Sequence, residues 1–183
     1  MPRRRNACTS RGPRRGVWPW RWPTCSRPSR TNVTDSAEPR PRPKNARRIS
    51  RELAVQTLYA WLINPREAME IKRDARLDER FPKADAALYD RIVDGVLSHS
   101  EGLRESLAPL LDRKVDSLSP VEHAILLMGA LELSAHVETP YRVIINEAVE
   151  LAKTFGGTDG HKYVNGVLDR LAMEVRPDEA RRR

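Results

Sequence analysis

The segment SPVEHAILLMGALELSA, residues 119–135, limits what this chain can fold into more than any other stretch. Ser119 is a candidate N-cap, Pro120 occupies the first helical position, and Glu122 follows the cap by three residues, so the motif is a capping box. The helix it opens carries Ile125, Leu126, Leu127, Met128, Leu131 and Leu133, an apolar content too broad for one surface-facing stripe. Such a helix belongs at the centre of a core, packed by other elements.

Those elements also read as helices. ISRELAVQTLYAWLIN places Leu53, Val55, Leu58, Tyr59 and Leu62 at helical spacings and closes at Asn64-Pro65. REAMEIKRDARL predicts a second, more polar and weakly amphipathic helix. DAALYDRIVDGVLSHSEGLRESLAPLL carries Leu88, Ile92, Val96, Leu103 and Leu107 on one face, with a break expected between Ser98 and Gly102. Thr139-Pro140 repeats the cap-and-proline signal ahead of YRVIINEAVELAKTFGG, where Gly156 or Gly157 would supply a left-handed C-terminal residue. Asp159 would then cap GHKYVNGVLDRLAMEV, and Pro177 with the closing arginines predicts a frayed basic end over 177–183. The sum is an all-α domain of six or seven helices over residues 45–176, with no internal repeat, G-x-G-x-x-G or P-loop string.

Charge does not follow this pattern. The formal net charge is +8, yet residues 1–46 hold 12 Lys+Arg against 2 Asp+Glu, leaving 21 basic and 23 acidic residues in the remainder, a net of −2. Eight of the 14 prolines, both cysteines (Cys8 and Cys25) and Trp18, Trp20 and Trp22 also precede residue 46. Residues 1–44 therefore predict a disordered Pro/Arg-rich extension, whose composition also resembles an organellar transit peptide. Val33 opens VTDSAEPRPRPKNARR, where the composition turns ordinary, and valine is what a GTG start codon reads as internally. Translation is expected to begin there, which the intact mass of the native protein checks. No apolar run approaches the roughly 18 residues of a membrane span, and the cysteine-free domain needs no oxidising compartment. The expectation is a cytoplasmic protein that does not engage a membrane.

Catalytic and metal chemistry find little support. His99, His123, His136 and His161 are not paired with one another or with a cysteine at ligand spacing, so no metal, cofactor or catalytic residue is expected and the chain reads as a non-enzyme. Nucleic-acid binding has a geometric basis instead. On a helix, Arg47 and Arg51 are four apart and Arg48 and Arg51 three apart, so three guanidiniums can converge at a helix N-terminus, a place that already favours anions. The bland alternative is a solvated arginine face. A second candidate is KTFGGTDGHKYVNG, which joins two helices and presents Lys153, His161 and Lys162 with Phe155, Tyr163 and the amide of Asn165. Aromatics among cations can stack single-stranded bases, although such glycines also punctuate helices and such aromatics also fill cores.

Taken together, ARRISRELAVQTLYAWL, SPVEHAILLMGALELS and TPYRVIINEAVELAKTFGGTDGHKYVNGVLDRLA resemble the NusB family of transcription antitermination factors, over about Ala46 to Val175. The resemblance implies an all-helical fold of two small helical bundles packed together. It implies binding to the boxA sequence of ribosomal RNA transcripts together with NusE, a small-subunit ribosomal protein, and joining RNA polymerase and other Nus factors to suppress premature termination. By the same resemblance Arg47, Arg48 and Arg51 contact RNA, Tyr59 and Tyr163 meet RNA or shape its surface, Lys162 and Asn165 belong to the same loop and helix start, Asp159 is a cap or tuning element and Glu122 a NusE contact; Lys153, Phe155 and His161 complete the RNA-binding candidates from the residue pattern above. Ile49 and Leu127 stand where the family often carries arginine. Two other readings differ in class: a targeting domain of the kind that precedes an RNA cytosine methyltransferase, whose methyl-donor domain and catalytic cysteine do not follow Val175, and a helical interaction module with no RNA role.

Overall fold

A computed structural model of the chain describes residues 44–181. The expected extension and the start at Val33 lie outside the described residues. Within them the chain forms seven α-helices and no strand: α1 (Lys44–Ile63), α2 (Ala68–Arg76), α3 (Ala86–Leu107), α4 (Pro120–Ala135), α5 (Tyr141–Phe155), α6 (Gly160–Val175) and α7 (Pro177–Ala180).

Ser119 caps α4 as its sequence predicts, its hydroxyl accepting from the Glu122 N–H at 3.2 Å, while the Glu122 carboxylate turns towards Gly160 rather than back to the Ser119 N–H that a full capping box would use. Every residue from Ala124 to Leu133 is buried. α1 and α3 pack on α4 and on each other, with α2 leaning on α1, while α5 and α6 pair with each other and with α4. The central helix is thus shared by two small helical groups. Two glycines set how closely its neighbours approach: a Cβ at Gly95 would lie 2.7 Å from a Leu131 methyl, and one at Gly129 would lie 2.7 Å from a Leu168 methyl. The break expected in α3 falls at His99, whose backbone leaves the helical region at φ −125° and ψ 21°.

Several expected helix ends differ. α5 follows Pro140 without a side-chain cap from Thr139, and the Tyr141 N–H instead donates to Glu179 at 3.0 Å. Gly156 leaves α5 extended at φ −91° and ψ 179° rather than left-handed, and a Cβ there would press to 2.5 Å from the Ala152 carbonyl oxygen. Asp159 makes no side-chain capping bond to α6. Residues 177–180, expected to fray, form α7 instead, because Glu179 is engaged at α5 and because Arg176 ties the segment to the core.

Arg176 is 7% exposed and donates to four carbonyls, those of Glu132 (2.9 Å), Leu133 (2.7 Å), His136 (2.9 Å) and Thr139 (2.7 Å). These lie at the end of α4 and just past it, where helical carbonyls lack intrahelical partners. The carbonyls of Glu132 and His136 also accept backbone N–H groups, from His136 and Thr139, so Arg176→Ala chiefly strips the carbonyls of Leu133 and Thr139 of their donor, and a loss of about 2 kcal/mol follows from the strength of charged hydrogen bonds. Urea unfolding checks this, and Arg176→Lys should recover only part, since an ammonium cannot span four acceptors with a fixed fork.

Candidate nucleic-acid interface

The start of α1 is fixed by polar bonds to the start of α3. The Ser50 hydroxyl meets the carbonyls of Ala46 and Asp85 at 2.9 and 2.8 Å, and the Asp85 N–H donates to the Ala46 carbonyl at 3.2 Å. With that anchor in place, Arg47 and Arg48 are exposed. Arg48 bonds Glu52 at 3.2 Å one turn on, and Arg47 has no ion-pair partner among the described residues.

Arg51 does not join them on the surface. It is 4% exposed, and its guanidinium donates from Nε (3.0 Å) and Nη2 (2.8 Å) to the carboxylate of Glu132, itself 0% exposed. Nη1 lies 3.8 Å from Glu147 on α5. The expected cluster of three arginines is corrected to two, for a clear reason: α4 carries one carboxylate on its buried surface, and a buried charge requires a paired cation. Burial works against both charges, but the facing charges and hydrogen bonds outweigh it. The Arg51 guanidinium is held above its ordinary value, and contacts with His136 and Arg51 hold the Glu132 carboxyl below its own. Ile49 is half-buried and Leu127 fully buried.

Tyr59 is 41% exposed. It lies eleven residues after Arg48, hence about 20° round the helix and about 16 Å along it, so the two share a face.

The second candidate segment approaches the first through Glu150. Lys153 donates to the Glu150 carboxylate at 2.7 Å. That hydrogen bond is the largest influence lowering the carboxyl, followed by attraction to Lys153, with further attraction from Arg48 and His161. Glu147, one turn before Glu150 on α5, lies 3.8 Å from Arg51 of α1, so α5 approaches the arginine-bearing start of α1, and the charges of Arg48, Lys153 and His161 all bear on the Glu150 carboxylate. Phe155 is half-buried. Asp159, expected as the α6 cap, instead meets Lys162 at 2.9 Å, with both side chains more than 70% exposed. Asn165 bonds Asp169 at 3.0 Å.

Tyr163 is not an open platform. Its ring lies beneath the Arg113 guanidinium at 4.7 Å. Its hydroxyl is shielded from water without a well-formed hydrogen bond, and burial first, then the nearby Asp112 carboxylate, push the phenol above its ordinary value. Glu122 is half-buried, and a Cβ on Gly160 would come within 2.6 Å of its Oε1. The carboxylate thus sits at the N-terminus of α6, where the helix dipole favours an anion. Gly160→Ala must displace it, with an expected loss of about 1 kcal/mol that thermal unfolding reads.

The exposed cations Lys153 and Lys162 each rest on an exposed carboxylate, and Arg48 on the half-buried Glu52. Such pairs contribute only about 0–1 kcal/mol, so a phosphate can replace the carboxylate at little cost. Sequence reasoning missed Glu150, Arg113 and the Arg104 guanidinium, which lies 5.5 Å over the Trp61 ring. All three act through partners remote in sequence, a relation that spacing does not reveal. Among the described residues no group of three or more His, Cys, Asp or Glu could hold a metal ion, and no helix is long and apolar enough to cross a membrane.

Comparison with known proteins gives a consistent result. The NusB family model matches residues 48–173. The transcription antitermination protein NusB of Burkholderia cenocepacia (strain HI2424) is 58% identical over 140 residues, covering 76% of this chain and 97% of that protein. Its counterpart in Burkholderia ambifaria (strain MC40-6) is 59% identical over 140 residues, with the same coverage. Among solved structures, T. maritima NusB matches with a TM-score of 0.64 at 27% identity, over 73% of this chain and 94% of that one. A crystal structure of antitermination factors NusB and NusE in complex with dsRNA shares the fold, with a TM-score of 0.61 at 23% identity over 71% of this chain and 98% of that one.

Proposed function

The chain belongs to the NusB family, and on that premise we propose that it is a transcription antitermination factor that binds boxA RNA of ribosomal RNA operon transcripts together with NusE. It then joins the RNA polymerase elongation complex and other Nus factors in the cytoplasm, and helps polymerase pass sites of premature termination. Its role is binding rather than catalysis.

The observation that carries this reading is the approach of α5 to the arginine-bearing start of α1, where Glu147 lies 3.8 Å from Arg51 and the two helices expose Arg47, Arg48 and Lys153. Single-stranded RNA needs cations for its phosphates and flat groups for its bases. In this assignment Arg47, Arg48, Lys153 and Lys162 meet phosphates, while Tyr59, Phe155, His161 and Asn165 meet sugars and bases. Asp159 and Glu150 hold the cations in place until RNA arrives. Arg51 supports the surface from beneath through Glu132. Glu122, at the rim of the same face, remains the candidate NusE contact.

Residues 47–183 are near charge balance, so long-range attraction to RNA is weak and NusE must contribute positive charge of its own. Gel shift of boxA RNA with and without NusE tests the assignment. Binding that NusE strengthens, and that a scrambled RNA of equal length does not reproduce, is the expected result. Equal binding to both RNAs would overturn it.

A further inference from the structure

We propose that Arg113 is a further RNA-binding residue, whose guanidinium over Tyr163 forms a platform for one unpaired base. The inference rests on the RNA-binding reading above and adds a residue that neither its position in the sequence nor the basic clusters singled out.

Arg113 lies in the connection between α3 and α4, after the 3₁₀ turn Ala108–Leu110 and before the turn Val115–Ser117. Its side chain is 49% exposed. The neighbouring carboxylate of Asp112 holds one edge, accepting from Nε at 2.9 Å and from Nη2 at 3.3 Å. An exposed pair between adjacent residues contributes little to folding, yet this one fixes the orientation of the guanidinium. Beneath it lies the Tyr163 ring at 4.7 Å. A guanidinium held on an aromatic ring keeps its opposite face free, and an arginine plane is one of the surfaces on which splayed RNA bases stack.

The surroundings suit a nucleic acid. Tyr163 follows Lys162, whose side chain is 73% exposed and pairs with the exposed Asp159. His161 lies on the same first turn of α6, which opens at Gly160. A strand held by phosphates at α1 and at the end of α5 continues past the start of α6 and reaches the Arg113 plane. Lysine in place of Arg113 would supply the same charge without a plane, which separates stacking from simple attraction.

The test uses the full chain with NusE and boxA RNA carrying 2-aminopurine at each position in turn. The wild-type protein should change the fluorescence of at least one position in a way that Arg113→Ala and Arg113→Lys both abolish. Both variants should weaken binding roughly fivefold to a hundredfold, the range one stacked base carries. Arg113→Lys should leave the salt dependence as in wild type, because the charge is kept, and helix content should be unchanged. Wild-type affinity and fluorescence in Arg113→Lys would overturn the proposal. So would a loss of NusE binding measured without RNA, which would make Arg113 a protein contact, or an affinity loss matched by lost helix signal. Failure of the wild-type protein to bind boxA RNA would instead overturn the proposed function.

Discussion

Arg51→Ala is expected to destabilise the protein by about 3–5 kcal/mol, whereas Arg47→Ala, four residues away on the same helix, should change stability by no more than about 0.5 kcal/mol. The contrast follows from where the two guanidiniums go. Arg51 carries a bidentate bond to Glu132 in the interior, and its removal leaves a carboxylate with 0% exposure facing an apolar helix bundle. A melting temperature lower by on the order of 10 °C is the corresponding thermal readout. Replacing both partners, Arg51→Met with Glu132→Leu, should restore most of the loss, because the pair's desolvation disappears along with its attraction. An unchanged melting temperature for Arg51→Ala would place the arginine back on the surface.

The same pair fixes a pH dependence. The folded Glu132 carboxyl lies below its ordinary value of 4.5. Its contribution is therefore fully present above about pH 4.5 and is lost as pH falls through the lower folded value. Arg51 is raised from an already high value, so its contribution is constant across the working range. Glu132→Gln should be less stable at neutral pH and should lose less stability than wild type on acidification below pH 4.5. Denaturant midpoints at neutral and acid pH compare the two.

The second large effect concerns RNA. Arg47→Ala with Arg48→Ala should weaken boxA binding at least roughly tenfold at physiological salt while leaving the helical signal intact. Four phosphate contacts, from Arg47, Arg48, Lys153 and Lys162, give a slope of log affinity against log salt of roughly −2.8 for a single strand. Removing two should leave a slope of roughly −1.4. The weak pairs that these exposed cations make in the free protein do not oppose the exchange appreciably. An unchanged slope would place the phosphate contacts elsewhere.

The parts of this molecule that could be read from its sequence are those that local chemistry determines. α4 was legible because a capping box and an all-round apolar surface are written in consecutive residues. The kink in α3 showed as a polar interruption in an apolar stripe. Arg51 was misplaced because a four-residue spacing gives the angle of a side chain round its helix but not what the helix faces. The missing clue was Glu132, a carboxylate in the apolar run GALELSA, which had to find a buried cation. Arg176 looked like an ordinary residue before a proline, and its four carbonyl partners lie 37 to 44 positions away in sequence. Asp159 has the chemistry of an N-cap, but its carboxylate is taken by Lys162. The approach of the two basic segments depends on how α1, α5 and α6 each pack on α4, and spacing along the chain carries no record of it.

In the proposed assignment the start of α1 and the end of α5 form one RNA-binding surface, with Arg51 behind it as a support. Fluorescence titration of boxA RNA in the presence of NusE, over a range of salt, tests it most directly with Arg48→Ala/Lys153→Ala against wild type. A loss of affinity greater than tenfold, a slope flatter by roughly 1.4 and an unchanged melting temperature are expected; wild-type affinity and slope in the double variant would place the RNA-binding surface elsewhere.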